Sequence, residues 1–351
     1  MPRLALALVL VLSAGAAMAA SLEEDLQRCA SATDPNVAVE RCTATFEAAQ
    51  FSPRAQAAAL KSRANAYQAR REYDRAIKDY DTAIAIDGTD AEAFNDRGNA
   101  YQHLGDFARA IRDYDEAIRR NPDFPLPFNN RGNAHQHMGE HDRAIVDYDR
   151  AIFLDPKFAV AFNNRGRAFH FLGDHRQAII DYTKAIEIDP DYALAIYNRG
   201  VARFDQGLFL WAVPDLVRAA DLEPSNPYRI ITLFLATARA GGRGRDVLTS
   251  RAAVLDLARW PGPVVTAYLG VAPPRMVLDA AQDPTATPAQ RCEAYFYLGQ
   301  YLILHRQRAD AAKMLRWATS TGARGTFEYA SAKAELRRMG YQAADVLAPA
   351  R

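Results

Sequence analysis

The sequence predicts an all-α fold arranged as a solenoid, and three observations support that prediction. First, a 34-residue block recurs: AEAFNDRGNAYQHLGDFARAIRDYDEAIRRNPDF (91–124), PLPFNNRGNAHQHMGEHDRAIVDYDRAIFLDPKF (125–158), AVAFNNRGRAFHFLGDHRQAIIDYTKAIEIDPDY (159–192) and ALAIYNRGVARFDQGLFLWAVPDLVRAADLEPSN (193–226). A weaker copy, AAALKSRANAYQARREYDRAIKDYDTAIAIDGTD (57–90), precedes them. Second, apolar and small residues return at helical spacing within each block. Third, the four blocks from 91 carry the same two breaks, while the 57–90 copy is degenerate, with Ala64 at the helix glycine and Gly88 at the proline. Units of this length cannot bury an apolar face alone, so they stack, and the stack points to binding rather than chemistry.

Taken in order, MPRLALALVLVLSAGAAMA (1–19) has an early Arg3, an apolar run and small residues at its end. This reads as a secretory signal peptide cleaved after Ala19, with Ala17 and Ala19 as the small residues the peptidase needs. No Cys follows the expected cleavage site, so no lipid anchor is expected, and no later stretch is long and apolar enough to span a bilayer. The expectation is a soluble, exported, periplasmic protein. Residues 20–56 suggest one short N-terminal helical hairpin, from EEDLQRCAS and PNVAVERCTATFEAA. Shifted forward one period, Cys29 falls on Arg63 and Cys42 on Ala76, where the two helices of a unit approach closely. An exported chain can form a disulfide across such a contact, so a Cys29–Cys42 bridge is expected. Cys292 has no obvious partner and reads as a buried free thiol.

The five units of 57–226 share one plan. In 91–124, Phe94, Gly98, Tyr101 and Leu104 recur at helical spacing, as do Ala110, Ile111, Tyr114, Ala117 and Ile118. Gly105-Asp106 separates two helices and Asn121-Pro122 ends the second. Gly98 and Ala110 are small because the paired helices touch there, and the pair returns as Gly132/Ala144, Gly166/Ala178 and Gly200/Ala212. Beyond 226 the period blurs. PYRIITLFLATARAG and RDVLTSRAAVLDLAR read as helices, and proline interrupts 260–288 into short ones. Residues 293–323 recover the pattern through Gly299 and Ala311, as a degenerate repeat at 292–325. FEYASAKAELRRMG then closes the stack. The chain is nearly neutral, but residues 20–226 hold 25 Lys+Arg against 33 Asp+Glu and residues 227–351 hold 17 against 9, so the two parts carry about −8 and +8. A positive half without a dense basic run does not suggest nucleic acid.

The repeated block resembles the tetratricopeptide repeat, a helix-turn-helix unit, over 57–226 in five copies. The resemblance implies a right-handed superhelix whose inner face is commonly a peptide groove. The order NPYRIITLFLATARAG, Trp260 with AYLG (267–270), FYLGQYLILHRQRADAAKMLRWA and FEYASAKAEL resembles the NlpI family of bacterial-envelope adaptor lipoproteins over roughly 225–336. That likeness implies an adaptor between a periplasmic protease and peptidoglycan-hydrolase substrates. The lipid-attachment Cys of that family is absent, so membrane tethering does not carry over.

Residues of each first helix outside the apolar stripe gather on one face. They are Asn95, Asn99 and Gln102, then Asn129, Asn130, Asn133 and Gln136, then Asn163, Asn164, Arg167 and His170, then Tyr197 and Asn198, with Asn65 and Gln68 in the first copy. Each amide offers a donor and an acceptor to a peptide backbone, so this ladder is the expected peptide-binding groove, centred on 95–170. Solvated asparagines shared by descent are the plainer reading. A second ladder pairs Arg63, Arg97, Arg131, Arg165 and Arg199 with Asp79, Asp113, Asp147, Asp181 and Asp215. The arginines sit toward the packed side, where a charge needs a partner, so these are expected to be structural ion pairs.

Six of the seven histidines lie between 103 and 175. His141 and His175 replace Tyr73 and Phe107, and His135 replaces Tyr101, so they read as aromatic substitutes. No spacing completes a ligand set, and no metal or other cofactor is expected. No GxSxG, HExxH, Walker or dinucleotide motif occurs, and GGRGRD (241–246) reads as a turn, so no catalysis is expected. The function expected is an exported protein–protein adaptor, with a self-associating structural protein, such as a homodimer, as the first alternative and a metal-dependent or catalytic protein as the second.

Overall fold

In a computed structural model of the chain, residues 21–49 and 52–342 are described. The expected signal segment and its cleavage site lie outside them. Every regular element among the described residues is helical. They form two compact units, one ending at Met138 and one beginning at Gly139, so the division falls between the two helices of the 125–158 block.

The first unit begins with α1 (21–30). It continues with α2 (Pro35–Ala48), α3 (Pro53–Ala69), α4 (Tyr73–Ile86), α5 (Ala91–His103), α6 (Phe107–Arg120) and α7 (Pro125–His137). From α2 onward each helix packs on the next, and the first helices α3, α5 and α7 also touch in sequence. Local chemistry sets the boundaries. Asp90 accepts from the backbone N–H of Glu92 and Ala93 to start α5, and Asp106 accepts from Arg109 to start α6. Pro125 opens α7, where a missing N–H costs nothing. The turn inside each unit needs a left-handed residue, supplied by Gly105 at φ 78° but by Arg71 at φ 61° in the degenerate first copy.

The second unit contains α8 (His141–Leu154), α9 (Ala159–Leu172), α10 (His175–Ile188), α11 (Ala193–Asp205), α12 (Phe209–Leu222) and α13 (Pro227–Arg239). Then come α14 (Gly244–Arg251), α15 (Gly262–Leu269), α16 (Arg275–Gln282), α17 (Pro288–Leu304), α18 (Arg308–Ser320) and α19 (Phe327–Arg338). The helix expected over RDVLTSRAAVLDLAR stops at Arg251 and gives way to a short 3-10 turn, Ala252–Val254. A large core gathers here from Ile230, Leu233, Leu248, Tyr268, Tyr297 and Leu315. Burying each such side chain contributes roughly 1.5–3 kcal/mol. The closing helix α19 packs on α17 and α18, and it also reaches α9 and α11.

The small residue of each first helix admits a ring from the second. A Cβ added at Gly98 would sit 2.6 Å from Cε1 of Tyr114, and one at Gly166 would sit 2.9 Å from Cε1 of Tyr182. Sequence reasoning matched these glycines to the alanine of the second helix. The ring of Tyr114 or Tyr182 is the atom group that requires them.

Candidate functional site

The arginine–aspartate ladder is built from one recurring geometry. Arg97 donates through Nε to Asp113 Oδ2 at 2.9 Å and through Nη2 to Oδ1 at 2.7 Å. Arg63 with Asp79, Arg165 with Asp181 and Arg199 with Asp215 repeat this bidentate pair. The remaining Nη1 reaches back one block: Arg97 to Asp81 at 2.6 Å and Arg165 to Asp149 at 2.6 Å. Arg97 and Arg165 therefore each tie the helices of their own block together and hold the preceding block. Arg131 makes the backward contact to Asp115 at 2.5 Å; Asp147 belongs to the second unit.

The amide ladder does not form one open face. Asn95, Asn129, Gln136, Asn163, Asn164 and Asn198 are buried, whereas Asn99, Gln102, Asn130, Asn133 and Arg167 are half-buried. In the first unit Asn130 Nδ2 donates to Asn95 Oδ1 at 3.0 Å and to Asn99 Oδ1 at 3.1 Å. In the second, Asn198 Nδ2 donates to Asn163 Oδ1 at 3.0 Å. The expectation of a continuous open ladder is corrected for the six buried amides. Consecutive first helices stack side by side, so the flank each presents to the next is closed, and its amides satisfy one another.

A different polar set faces outward in the first unit. Tyr80 and Tyr114 of the second helices are fully buried, and burial pushes both hydroxyls far above their ordinary pKa. Tyr80 Oη donates to Asn65 Oδ1 and accepts from Gln68 Nε2 at 2.6 Å. Tyr114 Oη lies 2.9 Å from Asn99 Oδ1 and 3.2 Å from Gln102 Oε1. One hydroxyl proton serves one acceptor, so the shorter contact takes it, and Gln102 turns its nitrogen to the hydroxyl as Gln68 does. In both blocks the Asn Nδ2 and the Gln Oε1 then remain, one donor and one acceptor three residues apart on one helix face. Sequence reasoning placed the tyrosines in the core and missed this relay. The signal was present: Tyr80, Tyr114, Tyr148 and Tyr182 share one register, and where it becomes Leu216 the paired positions become Val201 and Phe204. Beside this face, burial pushes the Asp96 carboxyl up to about 6; it occupies the register of Asn130, Asn164 and Asn198.

Residues 91–124 and 125–158 match a family model described as Tetratricopeptide repeat, and residues 64–105 and 166–207 match one described as TPR repeat. The repeats are tetratricopeptide repeats. Among solved structures, PilW, described as a widely conserved type IV pilus biogenesis factor, is 16% identical with a TM-score of 0.52. That alignment covers 56% of this chain and 92% of PilW. PilF of Pseudomonas aeruginosa is 16% identical with a TM-score of 0.51, covering 56% of this chain and 89% of its own. YrrB, described as a TPR protein with an unusual peptide-binding site, is 24% identical with a TM-score of 0.43, over 53% of this chain and 95% of YrrB. The first two likenesses show the fold, an α-solenoid. No curated protein sequence matches the chain.

In the second unit the corresponding tetratricopeptide face differs. Arg167 and His170 stand where the first unit has its Asn/Gln pairs, and Arg167 Nε is buried without a hydrogen-bond partner among the described residues. The closing helix lies against this face. Phe327 packs on His170 at 5.1 Å and Phe171 at 5.5 Å between ring centroids, and Arg338 Nη2 donates to the Asp205 carbonyl at 2.6 Å. His170 Nε2 and Ser331 Oγ each lie 2.8 Å from Asp205 Oδ2. His141 and His175 stand at aromatic positions, as the sequence suggests, and His141 stacks on Phe171 at 5.3 Å. His103 and His137 stack on Tyr73 and Phe107 at 4.9 and 5.1 Å.

The sulfur atoms of Cys29 and Cys42 lie 1.99 Å apart, at bonding distance, with Cα atoms 4.9 Å apart. Cys292 is buried, and burial pushes its thiol up to about 12. No described helix is long and apolar enough to cross a membrane.

Proposed function

We propose that the protein is an exported interaction scaffold that holds an extended peptide segment on the first-helix face of its first unit. The observation that carries this reading is the donor–acceptor pair left by each buried tyrosine: Asn65 with Gln68, and Asn99 with Gln102. A peptide group carries one N–H and one C=O, so each pair is complementary to one backbone amide and indifferent to side chains. Their orientation is fixed by a buried hydroxyl, which reduces the ordering cost of binding. Asn133 continues the register on α7. The buried Asn95 supports the face by accepting from Asn130 of the next first helix, which holds α5 and α7 in line, rather than by touching ligand.

The apolar leader with its small-residue end supports export, and the C-terminal marks shared with the NlpI family support a role in the envelope. A periplasmic protease or a peptidoglycan hydrolase is the class of partner this reading names. The test is fluorescence anisotropy of a panel of labelled, unstructured peptides against the wild type and a quadruple variant, Asn65→Ala, Gln68→Ala, Asn99→Ala and Gln102→Ala. Sequence-tolerant binding that the variant loses supports the reading. Binding that survives the four changes overturns it.

A second reading, self-association, is favoured by exposed Val146, Phe153, Leu210 and Trp211 on the second helices of the second unit, each at least two-thirds exposed. Sedimentation of the purified chain separates the two, because a stable dimer abolished by Phe153→Asp with Trp211→Asp supports association through these helices.

A further inference from the structure

We propose that His170, His175 and Asp205 form a binding site for a divalent transition metal ion, with Zn2+ the best fit. The last turn of α9 supplies His170, the first residue of α10 supplies His175 and the end of α11 supplies Asp205. Each offers one donor atom, and the three atoms lie within 4.8 Å of one another. His170 is fully buried, Asp205 is 5% exposed and His175 is half-buried.

The hydrogen bonding prepares the site. His170 Nε2 and Asp205 Oδ2 lie 2.8 Å apart and share a proton, which an ion taking both atoms as ligands displaces. Nδ1 of His175 is buried and has no hydrogen-bond partner. A buried ring nitrogen without a partner costs free energy that a metal ion would recover. Ser331 Oγ donates to the Asp205 carboxylate at 2.8 Å and fixes its orientation. Of the charges facing His175, Asp205 and Asp174 favour a cation and Arg337 of α19 opposes it.

Two imidazoles with a carboxylate suit zinc and its first-row neighbours rather than calcium or magnesium. Zinc bonds of about 2.0–2.1 Å place tetrahedral donors roughly 3.4 Å apart, so ring rotations must draw the widest pair inward by about 1.4 Å. Phe327 closes the apolar side of His170 at 5.1 Å. Because Ser331 and Phe327 belong to α19, a bound ion would also fix the closing helix to α9 and α11. The sequence hides this cluster: neither the five-residue step from His170 to His175 nor the 35 residues from His170 to Asp205 is a familiar ligand spacing.

The experiment titrates Zn2+ into the full chain, stripped with chelator, by calorimetry, and uses Co2+ absorption as a probe of coordination. The expected result is one ion per chain with a Kd of about 1 μM or tighter, and Co2+ bands of low-symmetry coordination. The change His175→Gln at the half-buried edge should weaken binding at least ~100-fold while the helical circular dichroism stays unchanged. His103→Gln with His137→Gln should leave it unaltered. Binding no tighter than about 100 μM overturns the proposal, as does binding that His175→Gln with Asp205→Asn leaves intact. Binding lost only on changing His103 and His137 places the ion on the surface and overturns it too.

Discussion

Replacing Asp113 by Ala tests the arginine staple directly, because Arg97 has two carboxylate partners of opposite exposure. The Asp113 side chain is 7% exposed and that of Arg97 is 18%, whereas the Asp81 side chain is 51% exposed. Removing one member of a buried pair costs about 3–5 kcal/mol, since the remaining charge stays desolvated. Arg97 keeps Asp81 and some water, so about 2–3 kcal/mol is the reasonable figure for Asp113→Ala. Asp81→Ala removes an exposed contact worth roughly 0.2–1 kcal/mol. Stability in stacked repeats is local, so the assay is hydrogen-exchange protection of the α5 and α6 amides, read by mass spectrometry on the whole chain. Asp113→Ala should lower protection by roughly 30–150-fold and Asp81→Ala by at most about 5-fold, at a tenfold per 1.4 kcal/mol. Raising salt should erase the Asp81 effect and leave that of Asp113. Equal losses for the two substitutions would refute the reasoning.

Three further outcomes follow from the same geometry. Asp96→Asn should stabilise the protein at pH 7.5 and leave it unchanged near pH 4. The folded carboxyl titrates near 6, above its unfolded value, so stability held by the protonated form at low pH is lost as pH rises through 6. Partial exposure reduces the gain to the order of 1–2 kcal/mol, read from denaturation midpoints at both pH values. Gly98→Ala should lower Tm although alanine favours helix by about 1 kcal/mol. Its Cβ would meet Cε1 of the fully buried Tyr114 at 2.6 Å, and overpacking costs typically 1–3 kcal/mol. Finally, a thiol reagent should find no reactive cysteine in the native protein and one in denaturant, with Cys29 and Cys42 joined and Cys292 buried; three thiols in denaturant would contradict the bridge.

The helices were legible because the period, the glycine turn and the Asn-Pro stop are local signals, each enforced by backbone chemistry. The Arg97–Asp113 pairing was legible for a related reason: a charge on a packed face requires a partner, and the repeat offers one residue at the matching register. The direction of the asparagines was not legible. A helical wheel separates polar from apolar, but it does not say which polar flank the next first helix covers, and that decides whether Asn95 or Asn99 meets solvent. The placement of α19 on α9 and α11 was equally hidden, since its residues Phe327 and Ser331 lie far in sequence from His170 and Asp205. The outward donor–acceptor pairs were readable in principle, through the tyrosine register that ends at Leu216 together with its polar partners.

The most direct test of the scaffold reading is site-specific photocrosslinking in envelope extract. A photoreactive residue at position 99, on the first-helix face of the first unit, is compared with one at Arg112, an exposed position on the second helix α6. The account predicts defined protein adducts from position 99, competed away by an unstructured peptide, and few from position 112. Equal adducts from both positions, or adducts from position 112 alone, would contradict it.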